Sequence, residues 1–191
     1  MNGVVGSDAA GTLAAPSEAS FCAACVLRDS PLAATHAAWL YAAPLDALVR
    51  RYKFSGDLAA GKVLSQLMVS HPPAWLTMDQ VLVPVPLHRQ RLRERGHDQA
   101  RELARGLSRT TGQSWAGLLA RAVATRAQSS LPLLERRRNL QDVFVVRGPL
   151  PARVVLIDDV MTTGATLEAA AKVLRAAGVS EVRAWVAART P

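Results

Sequence analysis

The chain has 191 residues and a mass of 20.4 kDa, and half of its residues are hydrophobic while a fifth are charged. This size and composition fit one globular domain with a short appendage and exclude a mainly disordered chain. No run of 18 apolar residues occurs, so we expect no membrane insertion. The first twenty residues lack the basic start and apolar stretch of a secretory signal, which predicts a cytoplasmic protein.

The positive charge is concentrated in the middle of the chain. Residues 81–147 contain 13 arginines and no lysine against 5 acidic residues, which accounts for the entire net charge of +8. Such a block favours a polyanionic partner, either a phosphate-rich ligand or nucleic acid. The alternative is that these arginines only lie on solvent-exposed helix faces.

The two cysteines, Cys22 and Cys25, form a Cys-x-x-Cys pair. The spacing suits half of a tetrahedral zinc site, and His36 is the one candidate for a third ligand. No fourth ligand is evident, and the flanking sequence lacks the helix start that would activate a redox pair. We therefore leave open half a zinc site, a redox pair and an inert pair, and favour the inert pair.

Hydrophobic periodicity and breaker residues divide the first half of the chain into short elements. Pro44 is suited to the first turn of a helix, and Asp57 is suited to cap a second helix that ends before Pro72. The predicted elements are a loose tail over 1–20, a strand over 36–42, helices beginning at 44 and 57, and a buried strand over 81–85.

The second half alternates helices with short apolar strands. A helix ended by Gly178 lies between two strands, which predicts a right-handed parallel crossover and an α/β fold with a mostly parallel central sheet flanked by helices. The predicted elements are helices over 98–109, 133–140 and 166–177, and strands over 118–123, 143–146, 153–157 and 182–188.

The segment after the strand over 153–157 carries the clearest chemistry. Two carboxylates, Asp158 and Asp159, precede a run of small residues and a helix start. Paired carboxylates accept hydrogen bonds from sugar hydroxyls and attract a divalent cation, whereas a helix N-terminus favours phosphate. The sequence therefore predicts a site for a sugar phosphate. The small residues that would hold the phosphate are Thr162, Thr163, Gly164, Ala165 and Thr166.

The stretch VVLIDDVMTTGAT, residues 154–166, resembles the phosphoribosyl pyrophosphate (PRPP) motif of type I phosphoribosyltransferases. The resemblance implies a type I phosphoribosyltransferase-like fold. It also implies that Asp158 and Asp159 hold the ribose hydroxyls, that residues 162–166 cradle the 5′-phosphate, and that Mg²⁺ arrives with PRPP.

Three further blocks resemble the ComF family of competence proteins and their gluconate-utilisation relatives. They are residues 82–104, residues 128–144 and the segment YKFSGD at 52–57. His97 and Asp98 replace the usual Phe-Asn pair, and only one Cys-x-x-Cys pair of the family's zinc ribbon is present. We therefore divide the chain into a tail over 1–35, with Cys22 and Cys25 as the remnant ribbon, and a phosphoribosyltransferase-like domain over 36–191.

The resemblance also gives the arginines a role. The loop over 87–96 would face the pyrophosphate, with Arg91, Arg93 and Arg95 as bidentate donors and His88 or His97 in support. A flap closing over PRPP would exclude water. Its candidate residues are Gln128, Arg136, Arg137, Arg138 and Asn139.

Two functions remain in view. The first is a Mg²⁺-dependent phosphoribosyltransferase that uses PRPP and an unidentified acceptor. The second is a non-catalytic module that senses PRPP or binds single-stranded DNA or DNA-uptake proteins, although few aromatic residues accompany the arginines. A zinc-dependent interaction domain is a weaker third option.

Overall fold

The computed structural model describes residues 30–121 and 144–191. The tail over 1–20, the cysteine pair, the helix predicted over 133–140 and the flap residues lie outside these ranges. The elements are β1 (Ala34–Leu40), α1 (Leu45–Phe54), α2 (Leu58–Ser70), β2 (Val81–Pro84), α3 (Arg89–Arg95), α4 (Gln99–Thr111), β3 (Leu119–Arg121), β4 (Phe144–Val146), β5 (Arg153–Met161), α5 (Ala165–Ala176) and β6 (Glu181–Arg189).

Four strands form a parallel sheet in the order β1-β6-β5-β2. All four therefore end at the same edge, where the loops that follow parallel strands meet. Strand β5 lies between β6 and β2, and its pairing with β2 stops at Ile157, opposite Pro84. Its pairing with β6 continues to Met161, opposite Arg189. The end of β5 thus has a neighbouring strand on one side only.

The sheet is covered on both faces, as its apolar strands require. Helices α1, α2 and α4 pack on one face, where Val155 and Ile157 of β5 join their core. Helix α5 and the antiparallel pair β3–β4 pack on the other face, against Val154 and Leu156. Successive residues of β5 therefore point alternately toward α1 and toward β3–β4.

Local sequence explains several helix boundaries. The Asp57 side chain accepts a hydrogen bond from the Ala60 N–H at 3.1 Å and caps α2, as predicted. The Asp98 side chain caps α4 in the same way, accepting from the Arg101 N–H at 3.1 Å. No helix in the described ranges has the length and apolar character needed to cross a membrane.

Three predicted boundaries were wrong. Strand β5 does not end at Ile157 but runs to Met161, because its ladder with β6 continues past the carboxylates. Residues 89–95 of the expected loop form helix α3. Strand β1 begins and ends two residues earlier than expected, because its register with β6 runs from Ala34 to Leu40.

Candidate functional site

The two carboxylates lie inside the end of strand β5 rather than in the loop that follows it. Asp158 pairs with Val186 of β6 across the sheet. The Asp158 carboxylate accepts a hydrogen bond from the Asp159 N–H at 2.8 Å, and the Asp159 carboxylate accepts one from the Val160 N–H at 2.6 Å. These contacts and the ladder fix both side chains against the backbone.

Strand alternation sends the two carboxylates to opposite faces of the sheet. Asp159 shares the face of Ile157, which packs against α1, and it is only 6% exposed. Asp158 shares the face of Leu156, which packs against β3–β4. Each carboxylate therefore meets a different set of neighbours.

Burial, together with the negative charge of Asp159, raises the pKa of Asp158 to about 7. The hydrogen bond from the Asp159 N–H and the positive charge of Lys53 lower the pKa of Asp158, but they do not outweigh burial. Near neutral pH, the pair thus carries less negative charge than two exposed aspartates would.

On the α1 face, Lys53 forms an ion pair with Asp159. Its Nζ lies 3.0 Å from Oδ1 of Asp159, and both side chains are largely buried. Lys53 belongs to the 52–57 segment that resembles the ComF family, but the sequence analysis gave it no role. Only the packing of α1 against the sheet brings it to the carboxylates.

Tyr52 fixes the end of helix α1 that carries Lys53. Its hydroxyl donates to the Gln99 carbonyl at 2.8 Å, and its ring is completely buried. Burial raises the pKa of Tyr52, and the charge of Asp159 adds to this effect. Gly61 of α2 lies against the ring, because a Cβ at this position would be 2.5 Å from Tyr52 Cε2.

On the opposite face, Arg121 of β3 provides the second cation. Its Nε donates to the Pro86 carbonyl at 3.1 Å, and its guanidinium lies 4.8 Å from the centroid of the Phe144 ring. Burial lowers the pKa of Arg121, whereas the negative charge of Asp158 raises it and the positive charge of Arg91 lowers it. Arg121 is not among the site residues predicted from the sequence, because no local pattern distinguishes it from the other arginines.

The predicted phosphate loop follows β5 directly. Thr162 and Thr163 are exposed, and Gly164 adopts a φ of +76°, which favours glycine. Gly164 offers no side-chain cap to α5, which begins one residue before the predicted Thr166. The Thr163 hydroxyl accepts a long, 3.4 Å hydrogen bond from the Ala165 N–H. The first turn of α5 is therefore a suitable anion site.

The other candidate arginines are distributed over α3. Arg91 is exposed and acts electrostatically on Arg121, as described above. Arg93 is exposed, and nothing in its position links it to the carboxylates. Arg95 donates to the Gln99 side chain at 3.2 Å and lies 5.3 Å from the centroid of the Phe54 ring. The three therefore do not act as one cluster.

Both ring nitrogens of His97 contact protein groups. Nδ1 lies 2.9 Å from the Arg95 carbonyl, and Nε2 lies 3.2 Å from the Gln99 side-chain amide. This pattern fits a ring that donates through Nδ1 and accepts at Nε2. These contacts hold His97 beside Tyr52, while His88 is exposed.

Several predictions concern residues that the structure does not describe. The expected zinc ligands Cys22 and Cys25 lie before residue 30, so zinc binding stays a prediction. The same holds for the flap. Its candidate residues are Gln128, Arg136, Arg137, Arg138 and Asn139.

Comparisons with known proteins agree with this architecture. A model of the phosphoribosyl transferase domain matches residues 95–191. Competence protein F of Haemophilus influenzae is 34% identical over 159 residues, which cover 78% of this chain and 69% of that protein. The chain belongs to the ComF family. The type I phosphoribosyltransferase fold expected from the sequence is thereby confirmed.

Two other similar proteins complete the comparison. The ComF chain is 31% identical over 176 residues to the DNA utilization protein YhgH of Escherichia coli, covering 88% of this chain and 78% of that protein. The solved structure of glutamine phosphoribosylpyrophosphate amidotransferase from B. subtilis, complexed with ADP and GMP, is 24% identical and has a TM-score of 0.45. That alignment covers 66% of the ComF chain and only 25% of the solved chain.

Proposed function

We propose that this ComF protein binds PRPP at the end of β5 and transfers its phosphoribosyl group to an acceptor with release of pyrophosphate. The observation that carries the proposal is the position of Asp158 and Asp159. They lie near the end of β5, an inner strand of the parallel sheet, shortly before a glycine-led helix N-terminus. A diol and a phosphate on one small molecule match this combination.

The ribose hydroxyls would donate to the two carboxylates. Backbone hydrogen bonds hold each carboxylate in a fixed orientation, so little ordering is needed when the sugar binds. The 5′-phosphate would accept from N–H groups of the loop over 162–166 and from the exposed threonine hydroxyls. The family match to a phosphoribosyl transferase domain supports this arrangement.

The residues also fit a Mg²⁺ ion that PRPP carries with it. Asp158 and Asp159 offer carboxylate oxygens, but residues 30–121 and 144–191 contain no group of three or more metal-binding side chains. A hard cation with one or two protein carboxylates normally completes its shell with water and phosphate oxygens. When bound, Mg²⁺ would neutralise charge on the pyrophosphate.

Transfer breaks the bond from ribose C1 to pyrophosphate while the acceptor forms a new bond to C1. The main tasks of the chain are to orient the sugar and to stabilise the leaving group. Among residues 30–121 and 144–191, no side chain is identified for a proton on the acceptor, since His97 is held by Arg95 and Gln99.

Calorimetric titration of PRPP, with and without Mg²⁺, tests the proposal. Replacing Asp158 and Asp159 together by asparagine should weaken binding about a hundredfold or more, because hydrogen bonds to charged groups contribute about 1.5–3 kcal/mol each. Asp46→Asn, at an exposed ion pair with Arg50, is the control and should bind normally. Wild-type protein that fails to bind PRPP overturns the proposal, and thermal melting checks that the variants fold.

A second candidate function is contact with single-stranded DNA. The exposed arginines of α3 and α4, among them Arg91, Arg93, Arg101 and Arg109, favour it. The name of the E. coli relative also points to DNA. Binding through phosphates would weaken steeply as salt rises, so affinity that is independent of salt would eliminate this function.

A further inference from the structure

We propose that Arg121 is the residue that anchors the pyrophosphate group. The inference rests on the proposed function, because it concerns the leaving group of the same PRPP molecule. It assigns a role to a residue outside the PRPP motif and outside the loop over 87–96.

Three contacts hold Arg121 in one orientation. Strand β3 pairs with β4 and sets Arg121 opposite Phe144. The Phe144 ring lies under the guanidinium, and the Pro86 carbonyl accepts from its Nε. A guanidinium held in this way keeps its terminal nitrogens as a pre-oriented donor pair, and less entropy is lost when it grips a phosphate.

The position of Arg121 suits the pyrophosphate end of PRPP, which is the end opposite the 5′-phosphate. Pro86 follows strand β2, and the Val85 N–H just before it donates to the Ile157 carbonyl at 3.0 Å, which brings Pro86 close to Asp158. The phosphate loop leads from the same strand, β5, into α5. The charge of Asp158, which would hold the ribose, acts on Arg121. The ribose would thus span from the first turn of α5 to Arg121.

The surroundings of Arg121 also favour an anion. Burial lowers the pKa of Arg121 and the positive charge of Arg91 lowers it as well, whereas the negative charge of Asp158 raises it. A half-buried guanidinium that also experiences the positive charge of a second arginine is stabilised by a bound polyanion.

The test compares three probes by calorimetry in the presence of Mg²⁺: PRPP, inorganic pyrophosphate and ribose 5-phosphate. Arg121→Met keeps an apolar stem on Phe144 but removes the guanidinium. We expect it to lose about tenfold or more in affinity for PRPP and pyrophosphate, and less than about twofold for ribose 5-phosphate. Arg121→Lys should lose less affinity for PRPP and pyrophosphate than Arg121→Met. Lysine keeps the positive charge, although it lacks the bidentate donor geometry of arginine.

Arg153→Met is the matched control. Arg153 forms an exposed ion pair with Asp79 at the start of β5, at the opposite edge of the sheet, so all three affinities should be unchanged. If both Arg121 variants bind PRPP and pyrophosphate as tightly as the wild type does, the inference is overturned but the proposed function is not. An equal loss for all three probes also overturns it, because Arg121 would then be structural. Wild-type protein that binds none of the probes overturns the proposed function as well.

Discussion

Lys53 and Asp159 form a largely buried ion pair between helix α1 and the central strand, with Nζ and Oδ1 3.0 Å apart. The pair joins the α1 face of the sheet to the carboxylates. On the other face, the charge of Asp158 acts on Arg121 of β3. Each layer of the fold therefore contributes one cation that interacts with a carboxylate, and each cation can be tested separately.

Replacing Lys53 by methionine leaves the Asp159 carboxylate buried without its partner. We expect the free energy of unfolding to fall by roughly 1–3 kcal/mol, since an unpaired buried charge is costly. Arg50→Met, which breaks an exposed pair with Asp46, should cost less than about 1 kcal/mol. Urea unfolding measures both. Equal, small effects would mean that Lys53 contributes no more than a surface charge.

Replacing Asp158 by asparagine should stabilise the ligand-free protein above pH 7. The pKa of Asp158 is raised to about 7 by burial, so the folded protein retains a proton between pH 4 and 7 that the unfolded chain has lost. The unfolding free energy of the wild type therefore falls as pH rises through this window. Asparagine removes this dependence.

Thermal melting from pH 4 to pH 8 measures the difference. The melting temperatures should be similar at pH 4, and the variant should melt higher at pH 8, by about 2–4 °C for each kcal/mol. Asp57→Asn is a control for which the change in melting temperature at pH 8 should have the opposite sign. Hydrogen bonds from Ala60 and Arg51 lower the pKa of Asp57, so its charged form stabilises the folded protein. A constant difference between Asp158→Asn and wild type at every pH would contradict the prediction.

Replacing Gly164 by alanine should strain the phosphate loop. The φ of +76° at this position costs an alanine roughly 1–2 kcal/mol, and relaxing that strain would move the first N–H groups of α5. We expect weaker binding of ribose 5-phosphate by calorimetry. Gly148→Ala is the matched control, with a φ of +72° and open space around the position. This control should lose a similar amount of stability and keep its affinity for ribose 5-phosphate. If both variants bound ribose 5-phosphate equally well, the loop would not be the phosphate site.

Replacing Gly61 by alanine should destabilise the protein, although the same change normally stabilises a helix by about 0.5–1 kcal/mol. The new Cβ would lie 2.5 Å from Tyr52 Cε2, and we expect a cost of roughly 1–3 kcal/mol from overpacking. Denaturant unfolding of the single variants and of the double variant with Tyr52→Leu measures the coupling. If Gly61→Ala cost as much beside leucine as beside tyrosine, the close approach would not be the cause.

Local patterns predicted the helix caps and the alternation of helices and strands, because the signals for these lie within a few residues. Asp57 and Asp98 are examples, since each cap is made by an N–H three residues ahead. The PRPP motif likewise revealed both carboxylates and the loop. These features depend on neighbours in the sequence.

The missed features depend on residues far apart in the chain. Strand β5 continues through its carboxylates because β6 pairs with it to Met161, which the polar sequence of that stretch hides. Lys53 reaches Asp159 because Tyr52 packs against Gly61 and donates to Gln99. Arg121 is positioned by a strand partner and by a carbonyl of another loop. A single sequence carries no short-range signal for such contacts.

The unequal lengths of β2 and β5 leave a notch in the sheet beside the carboxylates. The Val85 N–H makes the final hydrogen bond to Ile157, and Pro86 has no N–H with which to extend the ladder. A proline thus defines one wall of the notch, and the backbone of β5 beyond Ile157 defines the other. Any insertion or substitution that let β2 grow by a single pair would fill this space with main chain, and we expect that this would exclude the proposed sugar.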